Sequence, residues 1–314
     1  MIYAKIAGVG GYLPPKKVDN SELCDSVQTS DEWIVSRTGI RSRRLAENST
    51  ASELALPAAQ DALAQAELSG ENLDAIIVAT TTPDRIYPAT ACLLQAELNA
   101  APSAAFDVQA VCSGFLYAFA IGESMIAAGR ARNILVVGTE VFSGILDWND
   151  RKTCVLFGDG AGAAVLQASD TPGVLAAEIR ADGRHADKLT VNARVCGGKI
   201  IGDPYTRMDG GSVYRFAVAK MTESAQAVIA RGGRRPDWLV LHQANSRIIE
   251  AVRRRLDIAE DRCVNCVDEC ANTSAASIPL ALARFAPQFK RGETVLIAAA
   301  GGGFTWGAAL LEWQ

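Results

Sequence analysis

The feature that most constrains the fold of this chain is an order of elements that occurs twice along the sequence. In the first half, alanine-rich segments separate three apolar runs: AIIVAT (75–80), AFDVQAV (105–111) and NILVVGT (133–139). In the second half the same order returns: DWLVLH (237–242), CVNCVDECAN (263–272) and VLIAAA (295–300). Continuous Val/Ile/Leu runs between helices are typical of strands buried on both faces. The sequence therefore predicts an α/β fold, built by duplication of one unit at a spacing of about 160 residues.

The duplication predicts two halves, residues 1–168 and 169–314, that share one site. Polar ends of strands converge where such halves meet, and pockets form there. Cys112, His242 and Asn272 each stand where an apolar run gives way to a helix or loop. We therefore expect these three side chains to meet.

Cys112 is the candidate nucleophile. It ends the run QAV and precedes Ser113 and Gly114, which open a helix. The positive end of the helix dipole is expected to lower the pKa of the thiol and favour the thiolate. The helix start also offers N–H groups to an oxyanion. The alternative is a buried structural cysteine.

The histidine count restricts the choice of a second catalytic group. Only two histidines occur, and His185, among charged neighbours, is typical of a surface loop. His242 ends a hydrophobic run and is the candidate base or hydrogen-bond donor. Asn272 precedes Thr-Ser and an alanine-rich helix, so helix capping is its alternative role.

Charge and cysteine usage exclude several classes of protein. Lys plus Arg number 31 against 35 for Asp plus Glu, a net charge of −4, which excludes a polybasic nucleic-acid binder. The first residues lack the basic-then-apolar order of a signal peptide, so the eight cysteines predict reduced thiols in the cytoplasm. The uncharged window 294–311 contains four glycines and predicts a buried strand–turn–strand, without membrane insertion.

Three local patterns resemble binding motifs. GDGAGA (158–163) follows a predicted strand, CVLF (154–157), and fits a dinucleotide pattern, but a second short strand is expected after it in place of the required helix. Cys263, Cys266 and Cys270 have metal-like spacing without a second pair, and strand alternation explains the last two, so we expect no metal. Arginines near 247–255 predict a basic surface suited to an acidic partner or a phosphate-bearing substrate.

Six motifs, spread over the whole chain in one order, resemble those of β-ketoacyl-acyl carrier protein synthase III. This family, which has the thiolase fold, initiates bacterial type II fatty-acid synthesis. The motifs are TSDEWIVSRTGIRSRR (29–44), FDVQAVCSGF (106–115), FGDGAGAAVL (157–166), HQANSRI (242–248), NTSAASIP (272–279) and GGGFTWG (301–307). Their number and order make the resemblance specific.

The resemblance implies a thiolase-like fold and an acyltransferase that works in two half-reactions. Cys112 would take an acyl group from acyl-CoA, with acetyl-CoA as the expected primer. Malonyl-acyl carrier protein would then lose CO₂ and attack the thioester, with His242 and Asn272 binding the malonyl carbonyl. The N–H groups of Cys112 and Gly302 would form the oxyanion hole. Coenzyme A is then a substrate, and no cofactor is expected.

The resemblance also assigns the binding residues. Those for CoA are Thr29, Trp33, Arg37, Arg151 and Asn245. Those for acyl carrier protein are Arg247, Arg215, Arg253 and Arg254. Tyr87 matches an aromatic side chain that the second subunit of a homodimer contributes to the primer pocket.

The chain departs from the family pattern beside Asn272. Members usually have a glycine directly before this asparagine, and often an aromatic residue or histidine before that. Here Ala271 and Cys270 stand at these positions, and a methyl group can disturb a tight turn. The alternatives are therefore a paralogue of the same fold that uses another acyl starter, of quinolone or polyketide type, or a Cys–His–Asn thioester hydrolase.

Overall fold

The computed structural model describes residues 2–24 and 27–314, so Met1, Asp25 and Ser26 of the predicted first half lie outside it. The strands of this part of the chain are β1 (Tyr3–Tyr12), β2 (Lys16–Asp19), β3 (Ser42–Leu45), β4 (Ala75–Ala79), β5 (Ala104–Val108), β6 (Asn133–Glu140), β7 (Gly160–Ser169), β8 (Val174–Ala181), β9 (Leu189–Thr190), β10 (Arg194–Cys196), β11 (Lys199–Ile201), β12 (Arg207–Met208), β13 (Trp238–Leu241), β14 (Thr294–Gly301) and β15 (Thr305–Glu312). The helices are α1 (Asn20–Cys24), α2 (Asp31–Thr38), α3 (Ala51–Gln65), α4 (Thr90–Glu97), α5 (Gly114–Ala127), α6 (Gly210–Gly232), α7 (Ser246–Arg255), α8 (Val267–Cys270) and α9 (Ser277–Phe285).

Two mixed sheets have the same topology. The first has the order β1-β7-β6-β4-β5 and the second the order β8-β15-β14-β13. The pairs β6–β4 and β14–β13 are parallel, whereas β1–β7–β6 and β8–β15–β14 are antiparallel. Beyond β13, Cys263 forms an isolated parallel bridge with Leu239, where β5 pairs with β4 in the first sheet. The predicted duplication is confirmed, although the boundary at 168/169 stays a prediction.

The sheets and helices form five layers. Helices α3 and α4 cover the outer face of the first sheet, and α6 and α7 cover that of the second. Helices α5 and α9, which follow Cys112 and Asn272, lie buried between the two sheets. Both faces of the central strands are therefore apolar, which accounts for their uninterrupted hydrophobic runs. The layering brings the amino ends of α5 and α9 together at the centre.

Strand β1 and helix α3 approach closely because of glycines. A Cβ atom at Gly8 would lie 2.2 Å from the carbonyl oxygen of Ala62, and one at Gly10 would lie 2.1 Å from that of Ala58. The helix presents small buried alanines to the strand. It begins with a capping box, in which the Thr50 N–H donates to the Glu53 carboxylate at 2.9 Å.

The strand interpretation of residues 263–270 is wrong. Cys266 precedes α8 and Cys270 ends it, so helix geometry rather than strand alternation buries them. The Gln243 side chain replaces strand pairing, because its Oε1 accepts from the Cys266 N–H at 2.8 Å and its Nε2 donates to the Val264 carbonyl at 3.2 Å. The strand predicted over 154–157 is also absent, because residues 154–156 form turns and Phe157 makes only an isolated bridge with Asn272.

Two other expectations about local structure are confirmed. The GDGAGA segment enters β7, which leads to β8 with no helix between them. The window 294–311 forms the hairpin β14–β15. Within the described ranges, the helices are all too short or too polar to cross a membrane.

Candidate active site

A cavity of about 500 Å³ brings the three predicted catalytic residues together. Cys112, His242 and Asn272 line its inner end and are 4%, 3% and 6% exposed. Each comes from a junction after an apolar segment, Cys112 and Asn272 from equivalent positions of the two repeats. The structure therefore brings the three residues together where the two halves meet, as predicted.

The residues directly before Cys112 and Asn272 both have a positive φ. Val111 has a φ of 49° and Ala271 a φ of 55°. Short 3₁₀ helices then lead into α5 and α9. Left-handed backbone costs about 1–3 kcal/mol for a residue other than glycine. Ala271 therefore occupies a conformation that suits the glycine usual in the family.

Burial raises the pKa of the Cys112 thiol to about 12. The Ser274 hydroxyl acts in the opposite direction, and the buried Glu140 adds to the increase. The expectation that the helix start favours the thiolate is therefore wrong for this state, because the thiol has been removed from water. The candidate nucleophile is therefore a protonated thiol at neutral pH.

Hydrogen bonds hold both the backbone and the side chain of Asn272. The backbone N–H donates to the Leu156 carbonyl and the backbone carbonyl accepts from the Gly158 N–H, both at 3.0 Å. Its Oδ1 accepts from the Ser274 N–H at 2.9 Å. This contact holds Oδ1 against the first residue of the following 3₁₀ helix, whose N-cap is Thr273 rather than Asn272, and it leaves the Nδ2 donor for a ligand.

The His242 ring is held by a residue that the sequence analysis missed. Its Nδ1 lies 2.6 Å from Ser277 Oγ, which also accepts from the Gln243 N–H at 3.3 Å. Since that amide already occupies a lone pair of Oγ, the hydroxyl proton can point to Nδ1 and set the tautomer with hydrogen on Nε2. Burial lowers the pKa of His242 to about 3. The ring is therefore neutral at pH 7.

The glycine-rich turn after β14 lies against the nucleophile. A Cβ atom at Gly301 would come within 2.7 Å of the Cys112 backbone nitrogen, so only glycine fits there. The Gly302 carbonyl accepts from Thr305 Oγ1 at 3.0 Å. These contacts bring the turn beside Cys112, while the assignment of the Gly302 N–H to an oxyanion hole stays a prediction.

The outer rim of the cavity is positively charged, although the protein is acidic. The exposed cations that line it are Arg37, Arg151, Lys152, Arg215 and Arg247. None of the described lining residues is acidic. The sequence analysis missed Lys152, which is adjacent to Arg151 in the turns that follow the 3₁₀ helix 142–145. This rim suits an anionic ligand that extends from the buried thiol to solvent.

Trp33 and Arg151 lie together at the rim. The Arg151 guanidinium is 4.9 Å from the centre of the Trp33 ring, and its Nη1 donates to the Gln28 carbonyl at 2.6 Å. This separation leaves no space for a planar base between them. A base that stacks on Trp33 must therefore move the Arg151 side chain.

Other predicted binding residues lie at or near the cavity. Asn245 lines it, but its side chain caps α7 and donates to the Arg37 carbonyl at 3.1 Å. Thr29 does not line it, and its buried hydroxyl lacks a partner among the described residues. Tyr87 projects from a loop, is 83% exposed and does not line the cavity of this chain.

The four predicted carrier-protein arginines differ in their surroundings. Arg247 and Arg215 line the cavity, and Arg247 lies 5.7 Å from the centre of the Tyr214 ring. Arg253 lies outside it and is held by Glu250, at 2.7 Å, and by the Ile258 carbonyl. Arg254, also outside, pairs with the same carboxylate. Arg253 therefore has a structural role on α7 that helical spacing did not indicate.

Glu140 is a buried carboxyl group beside the nucleophile that sequence reasoning missed. Its Oε2 accepts from the Thr81 N–H at 3.1 Å and from Thr82 Oγ1 at 2.9 Å. Burial raises its pKa to about 7. No sequence signal indicated it, because the apolar run of β6 simply ends at this residue.

Glu140 is expected to make the stability of the protein depend on pH. The unfolded chain loses this proton near pH 4.5 and the folded chain near pH 7, so stability falls as the pH rises between these values. Glu140→Gln should remove this loss. Between pH 4.5 and pH 8, the unfolding free energy of wild type should fall by about 3 kcal/mol more than that of the variant. Urea unfolding at pH 4.5 and pH 8 measures it. Parallel pH dependence of the two proteins would contradict the prediction.

Comparison with known proteins gives the family. Residues 106–183 match the family model of 3-oxoacyl-[acyl-carrier-protein (ACP)] synthase III, and residues 234–313 match the model of its C-terminal part. The β-ketoacyl-[acyl-carrier-protein] synthase III of Bordetella petrii is 53% identical, over 99% of this chain and 98% of that protein.

Solved structures agree with this relationship. The 3-oxoacyl-[acyl-carrier-protein] synthase III of Aquifex aeolicus superposes with a TM-score of 0.93 at 44% identity and covers 99% of this chain and 100% of its own. The priming β-ketosynthase of the R1128 polyketide pathway gives 0.94 at 33% identity, covering 99% and 96%. The thiolase-like fold is therefore confirmed, and the chain belongs to the 3-oxoacyl-[acyl carrier protein] synthase III family.

Proposed function

We propose that this protein transfers a short acyl group from acyl-CoA to Cys112 and condenses it with malonyl-acyl carrier protein. The product is a 3-oxoacyl-acyl carrier protein, which starts fatty-acid synthesis. The observation that carries the proposal is the arrangement at the buried end of the cavity. A thiol faces two neutral groups there, the amide of Asn272 and the ring of His242, whose outer atoms remain for a ligand.

In the first half-reaction, the sulfur of Cys112 attacks the carbonyl carbon of the acyl-CoA thioester. The bond to the CoA sulfur breaks, and the proton of Cys112 ends on CoA as its thiol. The N–H groups of Cys112 and Gly302 stabilise the oxyanion in this proposal. Because burial disfavours the free thiolate, the neutral thiol before this step and the neutral thioester after it both suit the buried position of the sulfur.

In the second half-reaction, the malonyl thioester loses CO₂ and leaves an electron pair on the adjacent carbon. The charge develops on the thioester oxygen, where Asn272 Nδ2 and His242 Nε2–H can donate. A neutral imidazole serves as this donor, and the Ser277 contact favours the required tautomer. The carbanion then attacks the acyl carbonyl on Cys112, and the released thiolate takes up a proton.

The rim supports the proposed substrates. CoA carries phosphates, and the carrier protein is the acidic partner that the arginines predicted. Arg151 lies beside Trp33, where a nucleotide would stack, and Arg37, Lys152, Arg215 and Arg247 line the same cavity. Bidentate contacts to phosphate suit arginine. Arg253 and Arg254 are weaker parts of this docking surface, since Glu250 already pairs with both.

Trp33→Ala is expected to weaken the use of acyl-CoA. Stacking of a base on an aromatic side chain contributes about 1–3 kcal/mol, so the KM for acyl-CoA should rise by about 5- to 150-fold. Steady-state acylation of Cys112 measures this change. Acyl-pantetheine, which lacks the nucleotide, serves as the matched substrate, and its KM should stay unchanged. An equal increase for both thioesters would contradict stacking at Trp33.

The alternatives have less support. A papain-like hydrolase uses asparagine to orient histidine, but here Ser277 holds His242 and Asn272 Oδ1 holds Ser274. The polyketide ketosynthase is 33% identical and the Bordetella petrii enzyme 53%, which favours the fatty-acid role. A panel of acyl-CoA primers and malonyl acceptors distinguishes starter specificities.

Homodimeric assembly and a cytoplasmic location are also part of the proposal. Ile86 and Tyr87 are adjacent apolar side chains that are 77% and 83% exposed. A second copy of the chain would cover them and receive Tyr87 at its primer pocket. Pocket depth, and so primer length, would then depend on both subunits.

Mass spectrometry in two stages tests the proposed function. Incubation with acetyl-CoA should add one acetyl group at Cys112. Addition of malonyl-acyl carrier protein should remove that group and yield 3-oxobutyryl-acyl carrier protein and CO₂. Failure of every short acyl-CoA to acylate Cys112, or release of the acyl group only as free acid, would overturn the proposal.

A further inference from the structure

A second cavity, of about 310 Å³, lies between β1, α3 and α9 and shares no lining residue with the first. Asp61, Gln65, Leu280, Cys270 and Arg284 line it. Cys270 is two residues before Asn272, so one short segment contributes to both cavities. A thiol beside an arginine is thus accessible to small molecules without passage through the active site.

Cys270 has a second thiol beside it. Cys266 lies one helical turn earlier, and the Cys270 N–H donates to the Cys266 carbonyl at 3.1 Å. Residues in this i, i+4 relation have Cα atoms about 6 Å apart, within the Cα range of a disulfide. Their Cβ atoms are about 5–6 Å apart, and a disulfide needs about 3.5–4.5 Å, so the backbone of the segment must move for the bond to close. Interaction between the two thiols shifts their pKa values in opposite directions. The two sulfurs are therefore neighbours, one directly before α8 and one at its end.

Arg284 makes the pair chemically unequal. Its Nη1 lies 3.9 Å from the Cys270 sulfur, and its Nη2 is held by Glu269 at 2.7 Å. The hydrogen bond from Cys266, followed by the charge of Arg284, lowers the pKa of Cys270 despite its burial. The same hydrogen bond and burial raise the pKa of Cys266. This is the arrangement of an attacking thiolate with a resolving thiol.

We propose that Cys270 and Cys266 form a hydroperoxide-reactive dithiol, separate from the catalytic cysteine, in which Cys270 attacks and Cys266 resolves. The Cys270 thiolate attacks one peroxide oxygen, the O–O bond breaks, and the alkoxide or hydroxide leaves and takes up a proton. Cys270 becomes a sulfenic acid. The Cys266 sulfur then attacks it, a disulfide forms, and water leaves. Two thiols and one hydroperoxide yield one disulfide, one alcohol or water, and one water.

The disulfide is expected to act on the catalytic amide, a consequence that rests on the proposed function. Between Cys270 and Asn272 stands only Ala271, at a φ of 55°. Leu156 and Gly158 hold the backbone of Asn272 from the other side. A crosslink therefore shifts one end of a segment whose other end is fixed. A shift of about 1 Å in a catalytic group can reduce the rate about 100-fold.

Oxidation of the folded protein tests the site. One equivalent of hydrogen peroxide at pH 7, with dimedone present as the trap for sulfenic acids, precedes tryptic digestion and mass spectrometry. Wild type should yield the peptide 263–284 two mass units lighter, with fragment ions that join Cys266 and Cys270. Cys266→Ser should yield a dimedone adduct at Cys270, and Cys270→Ser no adduct at Cys266. The exposed Cys196 provides the internal comparison and should oxidise more slowly than Cys270.

Two results would overturn the proposal. One is oxidation of Cys196 or Cys112 while Cys270 stays reduced, and the other is a disulfide between Cys263 and Cys266. These mass readouts do not depend on whether the protein condenses acyl groups. A condensation assay tests the effect of the disulfide on Asn272. The rate of oxidised wild type should fall about 10- to 100-fold and recover with dithiothreitol, whereas Cys270→Ser treated in parallel should keep its rate. Equal losses in the two proteins would contradict an effect on Asn272.

Discussion

Cys112→Ala is expected to abolish acyl-enzyme formation and to reduce condensation by about 10⁴-fold or more, the range typical of a lost catalytic nucleophile. The thiol is the group that carries the acyl chain between two substrates that enter in turn, so no other side chain can complete the cycle. Acyl transfer from radiolabelled acetyl-CoA and formation of 3-oxobutyryl-acyl carrier protein measure the two steps separately.

One variant and one further measurement control this experiment. Cys196→Ala removes an exposed thiol from β10 and should leave both steps unchanged. Cys112→Ala itself should still decarboxylate malonyl-acyl carrier protein to acetyl-acyl carrier protein, because His242 and Asn272 remain. Such decarboxylation would show that the variant is folded. A Cys112→Ala protein that condenses at a rate within tenfold of wild type would refute the role of this thiol.

His242→Ala and Asn272→Ala are each expected to reduce condensation by about 10²–10³-fold while Cys112 is still acylated. Each variant removes one donor to the oxygen on which charge develops after decarboxylation. The first half-reaction relies on backbone N–H groups, so its rate should change far less. Single-turnover acylation and steady-state condensation provide the comparison.

Matched substitutions separate the donor role from a structural role. Asn272→Asp keeps the Oδ1 cap on Ser274 but replaces the Nδ2 donor, so it should lose as much condensation activity as Asn272→Ala. His185→Ala, on the half-exposed histidine, should leave both half-reactions unchanged. Equal losses of acylation and condensation in the His242 and Asn272 variants would contradict the division of labour between the half-reactions.

The duplicated order of elements was readable from the sequence because apolar runs of central strands record burial on both faces. Those runs located Cys112, His242 and Asn272 at the ends of apolar segments, and the structure brings them into one cavity. The positively charged rim was only partly predictable. Trp33, Arg37 and Arg151 came from the family resemblance, whereas Lys152 had no motif of its own.

The strand predicted over 263–270 shows where periodicity alone is insufficient. An apolar, cysteine-rich segment can be buried as a strand or as a short helix, and the pattern is the same. Gln243 decides between them, because its side chain bonds Cys266 and Val264 from 20 or more residues away. Only the folded chain brings these groups within hydrogen-bonding distance.

The sequence by itself determined the duplicated α/β architecture, the three catalytic candidates and the family, since these depend on residue type and order. The tertiary structure alone decided the chemical state of the site. Burial raises the pKa of Cys112, although the place of this residue at a helix start predicted a thiolate. Burial also lowers the pKa of His242. Hydrogen bonds with Ser277 and Ser274 fix which atoms of His242 and Asn272 remain for a ligand. Desolvation and hydrogen-bond direction depend on neighbours distant in sequence, so no local pattern encodes them.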